Sequence, residues 1–189
     1  MRTFAPHRLG RLECDAWVAY YRREWGRFLQ CSVGMVREGF GMSWPRTLQG
    51  AYLVLRANQL WAPSPDNDAE GAQATMRSFY ALVAAQHHLD LDVDHAAELE
   101  VEWWRVHRHL QRESEDGSLE PLTEALTALY AHVYDASPDD LRPAAALRAE
   151  AMEVSDRWVE EGCDVGSPLL VDELTGLVRS YAPLRAAVG

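Results

Sequence analysis

At 189 residues, 48% hydrophobic and 25% charged, the chain is long enough for a single domain with a core of its own. Its formal net charge of -11 argues against nucleic acid or an anionic membrane surface as a partner, since both demand a positive face. It contains no lysine and no isoleucine, and all 18 basic residues are arginine, so lysine-linked pyridoxal phosphate, other Schiff-base chemistry and a P-loop are excluded.

Cys14, Cys31 and Cys163 are far apart and odd in number. They form neither a disulfide framework nor a CxxC metal site, and read as small buried hydrophobes. The N-terminal stretch lacks the continuous apolar core of a secretory signal, and no apolar run approaches the roughly 20 residues of a membrane span. A cytoplasmic protein is the expectation.

Residues 1–13 read as an irregular arm. Asp15 then caps a long first helix to about Glu38, with Val18, Tyr21, Trp25, Phe28, Ser32 and Met35 at helical spacing and Gly39 as its stop. Ser43-Trp44-Pro45 is a cap followed by a first-turn proline, opening a second helix to about Trp61 with Leu48, Ala51, Tyr52 and Leu55 on its apolar side. The segment at 62–67, APSPDN, is the clearest loop. Asp68 caps a third helix carrying Ala72, Met76, Phe79 and Val83 on one stripe.

The fourth helix, at 96–112, has Ala96, Leu99, Trp103, Val106 and Leu110 as its core stripe. After a loop at 113–117, Ser118 caps a fifth helix. Ser137-Pro138 opens another start that Pro143 interrupts, with a sixth helix continuing to about Glu161. Ser167-Pro168 opens a last helix, kinked near Pro183. No stretch alternates with period two, so the fold class is all-α: a single-domain antiparallel bundle of six to seven helices over 1–189.

Asp90, Asp92 and Asp94 imitate the start of a calcium loop, but His95 stands where glycine belongs and Val101 where the closing glutamate belongs. A turn whose acids cap the next helix accounts for them. On the fourth helix, Glu100 and His107 share one shoulder and Glu102 and His109 the other, each pair about 10 Å apart along the axis, too far for one metal ion. No E-x-x-H di-iron signature occurs. Trp103 and Trp104 are 100° apart around the helix, so Trp104 must face another helix, a partner or a ligand.

The leading expectation is a bundle with an internal aromatic and polar pocket that binds or transforms a small molecule. Trp25, Glu24, Asn58, Trp103 and Glu150 would line it, with His107 as general acid or base and Glu102 as the carboxylate orienting it. One alternative is a non-catalytic interaction or homodimeric scaffold working through Trp104. A second is a ferritin-like carboxylate and histidine metal bundle, for which Glu24 of the first helix and Glu150 of the sixth would be available to join ligands of the fourth. Whether the protein is an enzyme, and what cofactor it takes, stay open.

Overall fold

Proline starts and left-handed stops set most of the helix boundaries. In the computed structural model residues 3–113 and 117–189 are described, and they form eight α-helices and no strand. These are α1 (Pro6–Tyr21), α2 (Trp25–Phe40), α3 (Trp44–Trp61), α4 (Ala69–His87), α5 (Val93–Glu113), α6 (Glu120–Tyr134), α7 (Pro138–Glu160) and α8 (Leu169–Val188). Proline stands in the first turn of α1, α3, α6 and α7, where its missing N–H costs nothing. The Asp68 side chain caps α4 by accepting from the Gly71 amide at 2.8 Å. None of the described helices is long and apolar enough to cross a membrane.

The long first helix is two helices. Arg22, Arg23 and Glu24 separate α1 from α2, and Arg23 takes a left-handed conformation with φ 59°. No glycine or proline marks this break, and the apolar spacing happens to run across it. Nor are residues 6–13 an irregular arm. They belong to α1, whose inward stripe is disguised by the fully buried Glu13. The stop of α2 is Gly41 at φ 58°, two residues beyond Gly39. α7 runs through Pro143, which lies within its first two turns and removes only one backbone hydrogen bond. The last helix also continues past Pro183. On α3 the buried side is Thr47, Gly50, Ala51, Leu55 and Trp61, whereas Leu48 and Tyr52 face outward with Trp44. Of the loop expected at 113–117, residues 114–116 lie outside the described residues.

Each helix packs against its neighbours in sequence, and α8 returns to pack against α1. The eight helices therefore close a ring, where the sequence suggested a six- or seven-helix bundle. Contacts at the two ends show how the chain runs. At one end Arg108 donates to the Trp61 carbonyl, Gln111 to the Tyr21 hydroxyl and Arg22 to the Cys163 carbonyl, joining the ends of α5, α3, α1 and α7. At the other, Arg185 donates to the Phe4 carbonyl, His87 meets the Phe40 carbonyl and His132 meets the Asp92 carbonyl.

The α1–α8 closure is tight. A Cβ on Gly10 would sit 2.9 Å from the Val178 backbone nitrogen, so the two helices approach over a position with no side chain.

Candidate functional site

All eight helices contribute to a central cavity of about 320 Å³. Its wall is rich in aromatic rings, including Trp17, Tyr20, Trp61, Phe79, Trp103 and Trp104. Ring contacts hold this wall in place: Trp17 meets Trp103 edge-on at 6.3 Å, and Trp61 meets Trp104 at 5.8 Å.

Two buried polar networks interrupt the apolar lining. In the first, Arg148 of α7 donates from Nε and Nη2 to Glu13 Oε1 at 3.0 and 2.5 Å. Tyr181 donates to Glu13 Oε2 at 2.5 Å, and Arg148 Nη1 donates to the Tyr130 hydroxyl at 3.0 Å. The Arg148 guanidinium also lies 5.0 Å from the Trp103 ring centroid. Desolvation works against its charge, but the adjacent Glu13 carboxylate, with Tyr130 and Tyr181, holds Arg148 well above its ordinary range.

In the second network, Tyr80 and Trp103 Nε1 donate to Glu100 at 2.5 and 3.1 Å. Burial raises the Glu100 carboxyl, and the hydrogen bond from Tyr80 and the charge of Arg148 partly oppose this.

Towards the end of the ring where α5 finishes, His107 Nε2 lies 3.1 and 3.0 Å from the two oxygens of Asp156. Gln111 also donates to Asp156, at 2.7 Å. A carboxylate only accepts, so Nε2 carries the hydrogen, and the lone pair of the neutral imidazole is the one on Nδ1. His107 is 7% exposed and lines the cavity, with the edge of Trp17 against it.

Asn58, Trp103 and His107 thus reach the cavity wall, as does Trp104. Trp25, Glu24, Glu102 and Glu150 are not part of it. The break after α1 resets the helical phase and leaves Glu24 at the surface, paired with Arg22 and Arg27. Trp25 packs in a side cluster with Tyr20 and Phe28. Glu102 lies 200° around the helix from Glu100 and pairs outside with Arg105. Glu150 stands in the same relation to Arg148 and is exposed. The carboxylate that orients His107 is therefore Asp156 of α7.

Glu13, Tyr80, Tyr130, Arg148, Asp156 and Tyr181 are the candidate-site residues that sequence reasoning passed over, and Glu100 entered it only as a metal-ligand candidate on the shoulder of His107. Their signal was a polar residue on an otherwise apolar stripe. Arg148 follows Leu141 and Ala144 and precedes Met152 at helical spacing, and Glu100 lies between Ala97 and Trp104.

Among the described residues, no three His, Cys, Asp or Glu side chains gather in a way that would hold a metal ion. Asp92 instead caps α5, its Oδ1 accepting from the amides of Asp94 and His95 at 3.1 Å. Burial pushes the Cys14 thiol up to about 12, which leaves it unreactive at neutral pH. No family model matches the chain, and neither a curated protein nor a solved structure is significantly similar to it.

Proposed function

We propose that this protein binds a small organic molecule inside the helical ring. The observation that carries this reading is the central cavity itself. Its volume of about 320 Å³ lies within the ordinary range of small-molecule sites, and it combines an apolar wall rich in aromatic rings with a few fixed polar groups. A neutral aromatic dye, N-phenyl-1-naphthylamine, is the direct probe. It should bind once per chain, quench the cavity tryptophans, and be excluded by Asn58→Trp, which fills the wall near the end of α3. Undiminished binding to that variant would sink the reading.

Catalysis at the same cavity is favoured by one feature: Asp156 accepts from His107 Nε2 and fixes the ring, so the lone pair of the neutral imidazole is on Nδ1. A general base needs this arrangement. For any ligand the parent converts, His107→Gln should retain binding and lose conversion; a variant that still turns it over excludes this role.

The scaffold alternative now rests on different residues. Trp104 is 7% exposed within its own chain, while Trp44, Leu48 and Tyr52 form an outward apolar stripe on α3. Light scattering after size exclusion tests whether that stripe joins two copies.

A further inference from the structure

One end of the cavity gathers arginines that have no acidic partner among the described residues. Arg23, from the turn between α1 and α2, and Arg108 and Arg112 of α5 all line it. Among the described residues they donate to neutral acceptors: Arg23 to the Ala62 carbonyl at 3.4 Å, Arg108 to the Trp61 carbonyl at 2.7 Å, and Arg112 to the Ser64 hydroxyl. The Arg108 guanidinium also lies 4.1 Å from the Trp61 ring centroid. Among the described residues, none of the three forms an ion pair.

That is unexpected by composition, since 29 acidic residues outnumber the 18 arginines. Burial and the neighbouring Arg112 both work against the charge on Arg108. Grouping like charges on an apolar wall costs free energy that an anion would return. The contrast within the same cavity is direct: Arg148 is matched by Glu13.

We propose that the ligand is an amphipathic organic anion, its carboxylate, sulfonate or phosphate group held by Arg23, Arg108 and Arg112 and its apolar body lying against Trp61 and Trp104. This rests on the cavity being a ligand site. Deeper in the ring, Glu13 and Glu100 disfavour a second anionic group, so the charge belongs at one end of the molecule.

Two dyes with the same aromatic body separate the claims: 1-anilinonaphthalene-8-sulfonate, and N-phenyl-1-naphthylamine, which lacks the sulfonate. The sulfonate should bind the parent at least about tenfold more tightly, the difference one or two charge-assisted hydrogen bonds supply. Arg108→Gln with Arg112→Gln should weaken the sulfonate about tenfold and leave the neutral dye within about twofold. Because Arg108 also packs on Trp61, Arg23→Gln provides a second variant at an exposed side chain, with a smaller loss in the same direction. Equal affinities in the parent, or equal weakening of both dyes in Arg23→Gln, overturn the anion assignment while leaving the cavity site standing. If the parent binds neither dye, the cavity reading fails and the anion assignment with it.

Discussion

Glu13 and Arg148 meet between α1 and α7, with 2% and 11% of their side chains accessible. Breaking such a pair leaves an uncompensated buried charge, whereas removing both charges often costs little. Arg148→Met is therefore expected to lower unfolding stability by about 3–5 kcal/mol in urea titrations, and adding Glu13→Gln to recover much of the loss. Glu173 is a different case. It is 1% exposed, neither carboxyl oxygen has a hydrogen-bond partner among the described residues, and burial, with repulsion from Glu13 and Asp156, pushes its pKa up to about 8. In the folded state it holds its proton more tightly than the ordinary 4.5. Its contribution to stability is thus full below about 4.5 and falls as pH rises to about 8. Glu173→Gln should be more stable than the parent at pH above about 8, with the two converging as pH falls toward about 4.5. A parallel pair of stability curves would show that Glu173 stays ionised.

Helix termini and close approaches decide the elements. His88 ends α4 in a left-handed conformation with φ 54°, and its side chain is exposed. His88→Gly should raise stability by about 0.5–1 kcal/mol, read as an upward shift in Tm, because glycine adopts that conformation without a Cβ penalty. Gly10 runs the other way. An added methyl meets Val178 backbone that cannot swing aside, so Gly10→Ala is expected to cost on the order of 1–3 kcal/mol by prying α8 from α1. Substituting Gly26, where a Cβ meets nothing within 4 Å, is the control that should leave stability intact or improve it.

For the whole molecule, closure of the ring has a topological consequence. Phe4 and Tyr181 meet edge-on at 5.9 Å, and Arg185 donates to the Phe4 carbonyl, so the two ends of the described chain lie together. A short linker joining them, with new ends opened between the exposed Pro63 and Pro65, should preserve a cooperative thermal melt. Loss of cooperativity in that permutant would mean that the α3–α4 connection holds the ring together as much as α1–α8 does. The cavity belongs to this scale too, since it exists only because every helix supplies part of its wall.

Local sequence sets those features that adjacent residues control. Period-3.6 stripes, Asp68 and first-turn prolines at 45 and 138 located most helices, since the backbone groups they satisfy lie within one turn. It also placed Asn58, Trp103 and His107 on inward-facing positions. The break at Arg23 escaped it because an unfavourable backbone conformation there is held by packing rather than announced by glycine. Tertiary structure alone decided which charges go inside. Glu13 is buried because Arg148 arrives 135 residues later to meet it, and Asp156 orients His107 from 49 residues away. Glu24, Glu102 and Glu150 carry the same chemistry but lie off the inward stripes. A buried charge is tolerated only where the fold delivers its partner, and no local window of sequence contains that partner.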